Sequence, residues 1–219
     1  MTAVPVRPAV SVIPLRDGAR GPEVFVQHRQ PTMDFAAGAV VFPGGRCDPA
    51  DVAKGADLAL SSATVADHVH RWRHVPVDGD RAADARTLVA TGLRELAEET
   101  GLVTPPESLL PWDRWVTPEG PPKRFDVSFF VLPVPASAPG QPVHLTTEAV
   151  DSEWDAVEAL LEGGAAGRLR LMTPTRVILQ ELLDLGSVEA VTRLRPVITG
   201  VRDDRPGSRP RVTDVVPGG

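Results

Sequence analysis

The chain has a single cysteine, Cys47, no tyrosine, and only two lysines, Lys54 and Lys123, among its 23 basic residues. One cysteine excludes an internal disulfide and fits a reducing compartment. No apolar run approaches the roughly 20 residues that span a bilayer, and the N-terminus lacks the charged start and apolar stretch of a secretory signal. The expectation is a soluble, cytoplasmic protein without membrane contact. Basic residues are also outnumbered, 23 to 29, for a formal net charge of −6. Nonspecific nucleic-acid binding relies on a basic surface, so nucleic acid is disfavoured as a partner. A small anion held by a few arginines is not.

What is present is an ordinary globular composition, 42% hydrophobic and 24% charged over 219 residues, enough for one substantial core. Residues 8–15 (PAVSVIPL) and 23–28 (EVFVQH) read as strands around a Gly/Asp turn, and 38–42 (GAVVF) as a short strand ended by Pro43-Gly44-Gly45. Residues 50–74 read as helical in parts. A long helix is expected from Asp80, its N-cap, to Glu99, with Gly101 just past its end. Further strands are expected at 112–117, 124–134 and 148–154, then helices near 155–163, 174–185 and 187–194. The Pro/Gly/Arg-rich stretch 196–219 reads as an extended or disordered tail. Strands on both sides of one central helix suggest a mixed sheet with helices packed on it.

The chemistry concentrates in Arg94-Glu95-Leu96-Ala97-Glu98-Glu99-Thr100-Gly101-Leu102. At about 100° per residue, Glu98 and Glu99 lie near −60° and +40° from Glu95, so three carboxylates share one helix face. Ala85, Val89, Leu93 and Leu96 form an apolar stripe beside them. Glu95 and Glu99 repel at i,i+4 by about 0.2–0.5 kcal/mol, and acids at a helix C-terminus oppose the dipole. A divalent cation would reverse both penalties, and all-oxygen ligands suit Mg²⁺ or Mn²⁺. A solvated acidic face is the plainer alternative. Upstream, Gly44 and Gly45 let backbone approach an ion or a phosphate closely.

These two segments together resemble the Nudix hydrolase box, G-x5-E-x7-R-E-U-x-E-E-x-G-U with U aliphatic. Gly45 matches its opening glycine, and Arg94 to Leu102 match its second half without a gap. The consensus has 13 residues between that glycine and the arginine, whereas residues 46–93 make 48, an insertion of 35. Counting back from Arg94, the position of the first glutamate holds Arg86. The interrupted box, FPGGRCDPAD, RFDVSFF and EWDAVEALL are similar to the branch of the mammalian peroxisomal coenzyme A diphosphatase. The stretch R-S-x3-R-x3-G-x3-FPGG of coenzyme A-cleaving relatives is matched at Arg29, Gly38 and Phe42 to Gly45, with Gln30 and Asp34 in place of its serine and second arginine.

The resemblance implies a Nudix-type α/β/α sandwich, a mixed β-sheet between helices, as one domain over 1–195 with a helical insertion at 46–80. It implies hydrolysis of a diphosphate linkage in a nucleoside-diphosphate-linked small molecule, coenzyme A or its thioesters being one candidate. Dinucleotides, ADP-ribose and nucleotide sugars are the alternatives, followed by a non-catalytic nucleotide-binding regulator. Glu95, Glu98 and Glu99, with the Gly45 carbonyl, would hold Mg²⁺ or Mn²⁺, and Arg94 would complete the catalytic set. Gly44, Gly45, Arg29, Arg46 and Arg124 are the candidates for binding the substrate, the arginines as a phosphate clamp. The insertion is expected as a flap or homodimer contact at the mouth of the site. Since Arg86 cannot serve Arg94, the expected anchor for that arginine is Asp48, ahead of Asp51. His68, His70 and His74 read as part of a packed helix, Cys47 as a non-nucleophile, and Trp115, Phe125 and Phe35 as core residues, with base stacking as their other reading.

Overall fold

A computed structural model of the chain describes residues 4–32, 36–77 and 79–199. Asp34, Phe35 and the greater part of the expected tail, 200–219, lie outside the described residues. The elements run β1 (Val6–Gly18), β2 (Gly21–Arg29), β3 (Ala39–Val41), β4 (Gly44–Arg46), α1 (Pro49–Asp57), α2 (Ser62–Arg71), α3 (Arg81–Thr100), β5 (Leu110–Val116), β6 (Arg124–Pro133), β7 (Ala149–Ala156), α4 (Val157–Ala165), β8 (Arg170–Leu171), α5 (Thr173–Leu185) and α6 (Val188–Arg193). Two of these, β4 and β8, are not foreseen from sequence. They are three and two residues long, too short to show an alternation of apolar and polar positions.

The strands form one mixed sheet. Along one edge, β1 pairs in parallel with β6 from Val6 to Leu15. Its other edge is divided: Ala9–Ser11 pair with β4, and Leu15–Gly18 pair with β2. Strand β2 divides likewise, pairing with β1 near its start, with β3 at Gln27 and His28, and with β7 along its opposite edge. The sheet therefore opens between β4 and the far half of β2, and this gap becomes the candidate site.

Strand alternation sorts the core into two layers. Val10 and Val12 of β1, with Phe130 and Leu132 of β6, pack against Leu88, Val89 and Leu96 of α3. Ile13 and Leu15, with Phe129 and Val131, face the opposite side and meet Val157 and Leu160 of α4 and Ile178, Leu179 and Leu182 of α5. The result is the α/β/α sandwich the sequence implies. Burying each such Val or Leu contributes roughly 1.5–3 kcal/mol, so α3 is held by its apolar stripe despite the acids beside it. Its ends are as expected: Asp80 accepts from Ala82 N at 3.0 Å, and Gly101 at φ 67° closes the helix. No helix among the described residues is long and apolar enough to cross a membrane.

Only the first residues of the insertion, Arg46 and Asp48, border the site. Helices α1 and α2 lie against α3, and Leu60, Trp72 and Val75 join the α3-side core. Arg71, 1% exposed, donates to Pro111 O at 2.8 Å, while Ile198 N donates to Arg71 O at 2.8 Å. Helices α1 and α2 thus form a buttress behind α3 and not a flap over the cavity, because their apolar residues have a core to join there. The first residues of the expected tail pack on this buttress. The three histidines do not converge: His68 is buried against Phe130, and His70 is exposed beside Arg73.

Helix α1 comes close to α3 at Gly55, where an added Cβ would lie 2.9 Å from backbone atoms of Arg86 and Thr87. Gly55→Ala is expected to lower Tm although alanine is favoured in helices by about 1 kcal/mol. A raised Tm in thermal unfolding would mean that the two helices do not meet there.

Candidate active site

Glu95, Glu98 and Glu99 occupy the last two turns of α3, beside the glycine turn of β4. Gly44 stands at φ 151°, and a Cβ there would lie 2.2 Å from Val10 O. Only glycine lets this turn lie so close to β1. A Cβ on Gly45 would likewise lie 2.2 Å from Glu95 Oε1. The turn thus presses on the acidic face, and Gly44 N donates to Glu99 Oε2 at 2.8 Å. Gln27 Nε2, from the buried face of β2, reaches the same oxygen at 3.1 Å.

Arg94 ties this corner together. Its Nε and Nη2 donate to Asp51 Oδ1 and Oδ2, each at 2.9 Å, and Nη2 also donates to Arg46 O at 3.0 Å. Its Nη1 donates to Glu95 Oε1 at 2.9 Å and Glu98 Oε2 at 3.0 Å. The anchor is therefore Asp51 and not the expected Asp48. Asp48 is exposed at the N-cap of α1, whereas Asp51, one turn into the helix, is fully buried and faces α3. Asp48 contributes its backbone N–H, which donates to Asp51 Oδ2 at 2.9 Å.

This pairing changes the register of the box. Asp51 is the sixth residue after Gly45, where G-x5-E places its first acid. The extra residues then lie between Asp51 and Arg94, with 52–93 standing where the consensus has seven. Counting back along α3 gave Arg86, which instead donates to Leu58 O at 2.7 Å and holds the end of α1. The spacing from Gly45 was legible. An aspartate in a glutamate's place concealed it.

Burial raises the carboxyl of Glu99 to about 7, with Glu95 adding to the rise, against the lowering by Gly44 N and Gln27. Burial also raises Glu95, and Arg94 offsets part of this. Asp51 is raised by burial but lowered further by Arg94, ending below the usual range. Burial pushes the Cys47 thiol up to about 11, which removes it as a nucleophile.

A cavity of about 810 Å³ opens over this corner. Glu95, Glu99, Gly44, Gly45, Arg46 and Arg29 are among its walls. Arg29 is paired with Glu148 at 2.9 Å. Trp115, Phe125 and Phe129 form an aromatic wall opposite, and Met172 to Thr175 a further side. Arg124 is not part of it. Lys123 and Phe125 line the cavity, and strand alternation turns Arg124 away, where its Nε donates to Thr117 O at 3.1 Å. Arg124 is thereby corrected as a clamp residue, and Lys123 is the cation that sequence reading overlooked. Glu98, with 60% of its side chain exposed, sits at the edge, outside the cavity walls.

The oxygen-only donor set fits a hard divalent cation. The raised carboxyls of Glu95 and Glu99 mark negative charge crowded into a partly dry corner, which a cation would relieve. As they stand, no three His, Cys, Asp or Glu side chains among the described residues are gathered tightly enough to hold one. Arg94 occupies one oxygen each of Glu95 and Glu98, and a carboxylate retains further lone pairs for an ion.

No protein-family profile matches the sequence, and no curated protein does. Among solved structures, a NUDIX hydrolase from Alicyclobacillus acidocaldarius is 25% identical, with a TM-score of 0.68 over 90% of this chain and 99% of its own. The NUDIX domain of Shewanella oneidensis NrtR, solved with ADP ribose, is 15% identical at a TM-score of 0.47, over 86% of this chain and 88% of its own. A C. elegans Ap4A hydrolase is 14% identical at 0.46, over 80% and 93%. The fold is that of the Nudix hydrolases.

Two outcomes are expected here. Asp51→Asn should cost about 3–5 kcal/mol by leaving Arg94 without its buried partner, whereas Asp48→Asn should change stability little. A double-mutant cycle in urea checks this, and zero coupling between positions 51 and 94 would contradict it. Without divalent metal, ionised Glu99 burdens the folded state above its folded pKa, and the burden vanishes below the unfolded value of 4.5. Tm should rise as pH falls from 8 to 5, a gain of at most about 3 kcal/mol, and Glu99→Gln should flatten the trend.

Proposed function

We propose that this Nudix-fold hydrolase cleaves a diphosphate linkage in a nucleoside-diphosphate-linked small molecule, with Mg²⁺ or Mn²⁺ held by Glu95, Glu98 and Glu99 and the Gly45 carbonyl. The observation that carries the reading is one cavity joining the acidic face of α3, the glycine turn, a cationic rim and an aromatic wall. Such a ligand has matching parts: a diphosphate for the ions and cations, and an apolar, planar body for the wall.

The metal, when bound, would polarise the diphosphate and lower the pKa of water. The chain's own residues supply position. Gly44 N and Gln27 orient Glu99, and Arg94 orients Glu95 and Glu98 while Asp51 neutralises it. Arg46, Lys123 and Arg29 would hold the non-reacting phosphate oxygens, Arg29 by sharing its guanidinium with Glu148. The wall of Trp115 and Phe125 would exclude water beside the nucleoside.

Coenzyme A or its thioesters is the finer reading, supported by the interrupted box and the FPGG stretch. ADP-ribose and dinucleotides are its rivals. The same reading takes the protein as cytoplasmic, acting on a small molecule rather than a nucleic acid, and is compatible with a homodimer.

A panel of diphosphates with mass-spectrometric product identification tests this. Activity should require Mg²⁺ or Mn²⁺ and disappear with chelator, and Glu98→Gln should reduce turnover at least about a hundredfold without loss of fold. Unchanged turnover in Glu98→Gln, or metal-independent activity, would refute the proposal.

A further inference from the structure

Helix α5 begins at the cavity, and its first turn is unfinished. Met172 is the N-cap residue and offers no capping side chain. The first N–H groups of a helix have no intrahelical acceptor, and Pro174 at the second position carries none, which leaves Thr173 and Thr175 as donors. Met172, Thr173, Pro174 and Thr175 all line the cavity.

Thr175 supplies an independent observation. It is 5% exposed, it lines the cavity, and its hydroxyl has no hydrogen-bond partner among the described residues. Other helical threonines here bond back to their own helix: Thr87 to Ala83 O at 3.0 Å, Thr91 to Thr87 O at 2.9 Å, and Thr100 to Leu96 O at 2.6 Å. Thr175 does not. The Thr175 hydroxyl is not sealed inside the protein; it borders the space where a ligand would sit and is free to donate there.

Two backbone donors, one hydroxyl and the positive end of a 13-residue helix dipole suit an anionic oxygen group. The glutamates that would take the scissile diphosphate belong to α3, in the opposite helical layer. We infer that the N-terminal turn of α5, with Thr175 Oγ1, is a second anion subsite for a phosphomonoester carried by the substrate outside its diphosphate. This rests on the hydrolase reading above. It favours coenzyme A, which has such a group, over ADP-ribose, which lacks one.

The test begins with inorganic phosphate and needs no metal or turnover. In a ¹⁵N-labelled protein at constant ionic strength, phosphate should shift the Thr173 and Thr175 amide resonances saturably, where chloride does not. Thr175→Val should weaken that response about tenfold, Thr175→Ser should restore it, and Thr175→Val should not lower Tm, since it removes an unpaired hydroxyl. Kinetically, Thr175→Val should raise KM about tenfold for a diphosphate substrate bearing a phosphomonoester, relative to the same substrate without it. No saturable shift at α5, or an unaltered one in Thr175→Val, would overturn the subsite whether or not the chain hydrolyses diphosphates. Loss of all hydrolysis beside an intact phosphate response would refute the hydrolase reading alone.

Discussion

The candidate site depends on one ion pair. Arg94 lies beside two of the three acids, and without Asp51 it would collapse onto them or leave a charge without a buried partner. The bidentate contact with Asp51 fixes the guanidinium plane. With that plane set, the remaining N–H groups point at Arg46 O, Glu95 and Glu98. One side chain thus joins the glycine turn, the inserted helix α1 and the acidic end of α3. The pair lowers the Asp51 carboxyl and raises the Arg94 guanidinium, so both remain charged across the physiological range.

The insertion is easier to understand from this pair than from the cavity. A stretch of 42 residues, 52–93, separates Asp51 from Arg94, yet their side chains meet. Loop closure grows only slowly in cost with length, and α1, α2 and the start of α3 fold back on each other. Gly55 lets α1 approach α3 closely, while Arg71 and Trp72 secure the far end. The added helices therefore stabilise α3 from behind and leave the cavity open.

The opening follows from the division of β1 and β2 between partners. Because β4 takes Ala9–Ser11 and β2 takes Leu15–Gly18, the sheet cannot stay closed along β1. The glycine turn enters the gap, and β5, β6 and the start of α5 wall it. Cations, acids and aromatics then face one space from β2, β4, α3, β5 and β6 and the loops between them.

Much of this was legible in the chain itself. Period-2 and period-3.6 patterns located the long strands and α3, because burial on one face leaves a local record. Asp80 and Gly101 marked the helix ends, and the run from Arg94 to Leu102 placed three carboxylates on one turn. Other features came only with tertiary structure. The choice of Asp51 over Asp48 depends on which face of α1 meets α3. The exclusion of Arg124 and the inclusion of Lys123 depend on which face of β6 borders the cavity. Gln27 reads in sequence as one polar residue in an apolar strand, and Thr175 as an ordinary first-turn threonine. Local sequence records what each segment does with its own neighbours, whereas a site is made of groups whose separation in space is set by packing between layers.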